Sequence, residues 1–210
     1  MSVCNPSLLL EPGGSPPQGF TLVEVVIAMS LGLALLAGTY GFYTGQRKAL
    51  ATRELVAEMQ QQARIGMAML VRELRMAGYD PTGTAGAGIV EATATAIRFT
   101  MDRNGDGDTN DANEDVRYTA YDSGGDGDLD LGRRLAASTN QPVAENLQEL
   151  HFAYILADGT TTDAPADPGQ IRAVQITLVA RTAKPDPAYP GGYRTYTLRS
   201  AVVPRNLALR

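Results

Sequence analysis

Between Phe20 and Tyr43 the chain reads FTLVEVVIAMSLGLALLAGTYGFY, an apolar run broken by a single charge, Glu24. As helix, such a run matches a hydrocarbon core about 30 Å thick. Everything before it, MSVCNPSLLLEPGGSPPQG, is rich in Pro and Gly and cannot continue a helix. The helix is therefore predicted to start close to Phe20, leaving residues 1–19 as a short leader. A secretory signal peptide would carry a basic stretch before its apolar core and a small-residue cleavage site after it, and neither is present.

A carboxylate within an apolar span costs about 2.5–3.5 kcal/mol on insertion scales, so Glu24 calls for a partner. Cleavage after Gly19 would free an α-amino group on Phe20, one helical turn away, whose pKa of about 7.7–8.0 keeps it largely cationic at neutral pH. The pair can meet within one chain as i, i+4 neighbours, or between staggered subunits. The competing reading is that Glu24 snorkels from the helix end toward the headgroups.

The decapeptide GFTLVEVVIA, Gly19 to Ala28, resembles the cleavage and methylation motif of type IV prepilins. The resemblance implies that a prepilin peptidase cuts between Gly19 and Phe20 and methylates the Phe20 amine. It also implies that Glu24 is the acid that guides assembly with other major and minor pilins. The expected location is the inner membrane, single-pass in its lipid with the C-terminal part periplasmic, and then a pilus or pseudopilus. Arg47, Lys48 and Arg53 follow the span while the leader has no basic residue, so a plain positive-inside count would give the opposite orientation.

No proline occurs from Gly45 to Met76, and good helix formers dominate, so the helix is expected to continue to about Ala77. Leu55, Met59, Ile65, Met69, Leu70 and Leu74 recur near the helical period, and Arg53, Glu54, Glu58, Gln61, Arg64, Arg72 and Glu73 occupy other faces. Gly78 and then Asp80-Pro81 supply the stop. Gly32, Gly38, Gly41 and Gly45 punctuate the span, where small residues permit close helix packing. The stretch Met59 to Gly83, ending ELRMAGYDPTG, resembles PilW-type minor pilins. LRSAVVPRN, Leu198 to Asn206, is similar to the closing strand of that group and of the related minor pseudopilins of type II secretion.

After Pro81 short alternating runs predict strands: Ile97, Phe99 and Met101; Val116 and Tyr118; Leu150 to Leu156; Val174, Ile176 and Leu178; and Tyr193 to Val203. Clusters of Gly, Pro, Asp and Asn separate them. The expected fold is α+β, a long N-terminal membrane-spanning helix packed on a mostly antiparallel sheet. The expected division is 1–19 leader, 20–45 membrane and filament-core helix, 46–79 amphipathic continuation, and 80–210 sheet domain.

Two acidic, glycine-rich stretches interrupt the strands. In DRNGDGDTNDANED, Asp102, Asn104, Asp106, Asp108 and Asn110 alternate around Gly107 like the first nine places of a calcium loop. Asn113 stands at the twelfth place, with Asp111, Glu114 and Asp115 near enough to substitute, so calcium is the candidate cofactor. The alternative is a solvated hairpin turn. DSGGDGDLD, Asp122 to Asp130, repeats the texture with Asp122, Asp126, Asp128 and Asp130, but has Arg133 where a closing acid would belong.

The formal charge is -5, and the Lys and Arg are scattered, so no basic stripe supports a nucleic-acid partner. Cys4 is the single cysteine, which rules out an internal disulfide or a thiolate metal cage. His151, the single histidine, lies in the strand-like ENLQELHFAY, and no catalytic constellation surrounds it in sequence. The glycines of GTAGAGIVE precede a strand, the reverse of a dinucleotide loop. The leading expectation is a non-catalytic minor pilin acting in type IV pilus assembly or initiation. Beside it stand a minor pseudopilin of type II secretion and a membrane-anchored receptor or enzyme with a pilin-like anchor.

Overall fold

The predicted helix begins at Leu22 and runs unbroken to Leu74 as α1 in a computed structural model that describes residues 19–136 and 138–207. It ends a few residues short of the expected stop because its last turn tightens. Met76, Ala77 and Tyr79 donate to Glu73, Leu74 and Met76, three residues back, while the Gly78 amide turns to Thr100 of the sheet. Gly78 sits at φ 77°, which favours glycine, and a Cβ there would lie 2.5 Å from Leu207 Cδ2 and push that side chain aside.

Contacts divide the chain into a unit that ends at Ala49 and one that runs from Leu50, and α1 contributes to both. In the first unit the helix keeps its apolar side chains outside: Leu22, Val23, Leu31, Leu35 and Phe42 are all exposed, as is Phe20 before it. Its hydroxyls are satisfied within the helix, Ser30 donating to the Val26 carbonyl, Thr39 to Leu35 and Thr44 to Gly41. An apolar solvent requires that arrangement.

The second unit is built on one eight-stranded sheet with every described pairing antiparallel. The strands are β1 (Ile89–Ala92), β2 (Ala96–Thr100), β3 (Asp115–Tyr121), β4 (Leu129–Leu135), β5 (Gln141–Leu156), β6 (Thr161–Thr162), β7 (Ile171–Arg181) and β8 (Thr195–Val202). Their order is β1-β2-β3-β4-β5-β7-β8, with β6 paired to β5, so the chain meanders and neighbours in sequence are mostly neighbours in space.

From Met59 onward α1 buries one face, Met59, Ala63, Gly66, Met67, Leu70 and Leu74. These join Ile97, Phe99, Val116, Tyr118, Leu131, Phe152, Tyr154, Ile176 and Leu178 in the core. Burying each of the larger apolar side chains contributes about 1.5–3 kcal/mol. Gly66 marks the closest approach of helix to sheet, since a Cβ there would stand 2.9 Å from Ala144 Cβ. Ile65, read as part of the apolar stripe, is instead half exposed, because its place on the helix falls outside that face.

One polar group crosses this core. Glu73 of α1 accepts two hydrogen bonds from Arg133 of β4, Nε and Nη2 each at 2.9 Å, and one from the Tyr118 hydroxyl of β3 at 2.7 Å. Both charged side chains are about one-sixth exposed. Arg133, at first sight a misplaced member of an acidic loop, is thus a structural partner of the helix. Burial, and then the bond to Glu73, push the Tyr118 phenol well above its ordinary range.

Candidate functional site

The N-terminal motif lies at the mouth of α1. Gly19, Phe20 and Thr21 precede the helix, and Thr21 caps it: its Oγ1 accepts the Glu24 amide at 3.3 Å. In return Glu24 Oε2 accepts the Thr21 amide and the Thr21 hydroxyl, each at 2.8 Å. This reciprocal pair is a capping box, and the T-x-x-E spacing at Thr21 to Glu24 is its signal in the sequence. Glu24 is therefore part of the helix cap. One oxygen secures the helix start, and Oε1 makes no hydrogen bond among the described residues.

Gly32, Gly38, Gly41 and Gly45 face open space, for a Cβ on any of them would meet nothing within 4 Å. Close packing at these glycines, where it occurs, is against another molecule. The leader residues up to 18, Cys4 included, lie outside the described residues.

The two acidic loops share a local fold. Asp102 accepts the amides of Gly105 and Gly107 at 2.6 and 3.0 Å, and Asp122 accepts those of Gly125 and Gly127 at 2.6 and 3.1 Å. All four glycines have positive φ, so D-x-x-G-D-G-D is one turn built twice. The loops differ in what they do with the remaining acids. In the first, Asp102 and Glu114 are buried and turned to backbone amides, Glu114 accepting from Arg103, Asn104 and Asp111. The Asn104 amide bridges Asp106 and Asp111 at 2.9 and 2.7 Å, while Asp108 accepts the Asn110 amide. Repulsion from Asp106 pushes Asp111 up, and the bond from Asn104 holds Asp106 down.

In the second loop Asp122, Asp126 and Asp128 bring one carboxylate oxygen each within 4.8 Å of the others. Burial, and then the bond shared with Asp126, push Asp128 up, whereas accepting that bond holds Asp126 down. Arg181 closes one side at 3.2 Å from Asp128. Asp130 is excluded from this group, since it is buried in β4 and accepts from Ser123 and Asn146. Asp102 and Asp122 thus each hold a turn, and of the two loops the second brings three carboxylates together. His151 pairs across β5 and β7 with Thr177 and stands 3.3 Å from Asp163 at the surface.

Residues 16–40 match the family model of the prokaryotic N-terminal methylation motif. No curated protein matches the chain. Among solved structures, a type IV-like pilin from Thermus thermophilus is similar at 15% identity and a TM-score of 0.48, with 70% of this chain and 97% of that chain covered. A methylation motif thus stands at the head of a long apolar helix whose later turns pack on an antiparallel sheet.

Proposed function

We propose that this protein is a minor pilin of the PilW kind, a structural subunit without catalytic activity that takes part in assembling or initiating a type IV pilus. The match of residues 16–40 to the methylation motif carries the reading, because the matched helix exposes its whole apolar surface and needs either lipid or other helices to cover it. A prepilin peptidase releases the leader at Gly19 and methylates Phe20. The helix then holds the protein in the inner membrane with the sheet domain in the periplasm, until it joins neighbouring pilins. In the filament core Glu24 keeps its cap on Thr21 and offers Oε1 to the terminal amine of a neighbour.

Intact mass and N-terminal sequencing of protein recovered from membranes and filaments test this directly. The expected product begins with N-methyl-Phe20. A membrane-bound product that retains residues 1–19 overturns the processing, and absence from purified filaments overturns the subunit role.

We also propose that the acidic loops take calcium, and that Asp122, Asp126 and Asp128 are the stronger set because one oxygen from each lies within 4.8 Å of the others, so that the ion takes the place of Arg181 beside Asp128 while Asp122 keeps its glycine amides. Hard oxygen donors on a flexible loop suit calcium better than magnesium. With free calcium at about a hundred times the dissociation constant, the folded protein should gain roughly 2.7 kcal/mol. Thermal unfolding in calcium, magnesium and chelator should show a calcium-specific rise that Asp126→Ala with Asp128→Ala removes. The proton favoured on Asp128 must leave before the ion binds, so affinity should increase as pH rises through that raised pKa. Equal midpoints in calcium and chelator would reduce both loops to acidic turns.

A further inference from the structure

Two surfaces of the unit that runs from Leu50 complement each other in charge yet stand apart on one chain. The first is a cavity of about 390 Å³ beside the last turn of α1. Its floor is apolar, with buried Met101 and Val116, and Arg72, Arg103 and Arg133 surround it. Arg133 is committed to Glu73, whereas Arg72 and Arg103 are exposed and make no ion pair among the described residues. Asp111 and Glu114 lie on the far side of Arg103, whereas Glu73, the one acid among the described residues lining the cavity, is paired with Arg133. The cavity is thus left cationic over an apolar base.

The second surface is an exposed turn earlier on α1. Glu54 and Glu58 flank a shallow hollow with Ala57 and Gln61, and neither acid has an ion-pair partner among the described residues. Glu54 and Arg72 lie about five turns apart on the same helix face, roughly 27 Å along the axis. Half-exposed Ile65 falls between them. A single chain cannot bring these charges together, and a second copy can.

We propose that the cavity at Arg72 and Arg103 receives the Glu54–Glu58 turn of a second copy of this chain. Carboxylates meet the two free guanidiniums at the rim, and the apolar stems of the glutamates cover Met76 and the floor. Exposed ion pairs are individually weak, but several aligned pairs steer encounter and fix register. Because the two patches differ, the contact is heterologous: each docked pair retains a free acidic turn and a free cavity and can add further copies. The contact rests on the pilin reading only in its setting, since a row of copies is what an initiating subunit would supply.

The test uses the full chain in its own membrane with Cys4→Ser, co-expressing one copy bearing Glu58→Cys with another bearing Arg103→Cys. Mild oxidation should give a mixed 58–103 disulfide dimer in excess over either like-with-like dimer. Arg72→Glu in the cavity-bearing copy should lower the mixed dimer at least about tenfold, since like charges now face each other, and Glu54→Arg in the other copy should restore it. A mixed dimer no more abundant than the like pairs, or insensitive to the charge reversal, overturns the contact. The measurement is made in the membrane, so a mixed dimer in cells whose filaments lack the protein would refute the filament role alone. Filaments that contain the protein while no mixed dimer forms would refute the contact alone.

Discussion

Glu73→Ala is expected to destabilise the sheet domain by about 3–5 kcal/mol, because it leaves the mostly buried guanidinium of Arg133 without its carboxylate. The loss has two parts. Arg133 forfeits both of its bonds to Glu73, and the Tyr118 hydroxyl, in a fully buried ring, is left to find a new acceptor. Tyr118→Phe removes one neutral donor and should cost only about 1 kcal/mol. Replacing both ions together, Glu73→Leu with Arg133→Met, should recover most of the loss, since desolvating the charged pair offsets much of what it returns. Urea unfolding of the three variants beside the natural protein measures this. A single-variant loss below about 1 kcal/mol would mean that water reaches Arg133 freely.

Glu24→Gln should leave the protein in the membrane while cutting its incorporation into filaments at least about tenfold. The capping box makes this substitution unusually clean. Glutamine serves at the third helical position as glutamate does, so the bonds with Thr21 persist and the helix starts where it did. Removing the charge also eases insertion into lipid. In the proposed filament, what disappears is the anion for a neighbour's terminal amine, and a cation left unpaired in a dry core is costly. Glu24→Ala, by contrast, loses cap and charge together, with about 1 kcal/mol of helix stability at stake. Quantifying the protein in membrane and sheared-filament fractions separates the effects. Equal incorporation of the glutamine variant and the natural protein would show that the charge is dispensable.

The sequence made the long helix and several strands readable because each is a repeating pattern. Proline is absent from Gly45 to Met76, and Val174, Ile176 and Leu178 alternate as the strand period requires. What escaped has irregular causes. β4, LDLGRRL, begins inside the acidic stretch, and its two consecutive arginines hide the period. β5 was legible only from Leu150 to Leu156, although it starts at Gln141. Pro142 and the left-handed Asn146, φ 60°, disguise a strand whose register shifts beside them. β8 is trimmed at both ends of its predicted range, and Met101, although buried, lies just beyond β2. In the loops, composition announces carboxylates but not their targets. Asp102 and Asp122 look like ligands in the string and serve as acceptors for glycine amides in space.

The end of α1 depends on residues made much later. The Met76 carbonyl accepts the side-chain amide of Asn206 across a sequence separation of 130 residues, and Leu207 fills the space beside Gly78. At bacterial-type synthesis rates of about 5–20 residues per second, the helix must wait roughly 7–26 s for them. During that interval its apolar face, Met67 to Leu74, has no complete sheet to cover it. A nascent chain is therefore vulnerable until its last strand arrives, and one released early, short of Asn206, would leave the helix terminus open to proteases. Asn206 and Leu207 thus close the helix terminus from the far end of the described residues.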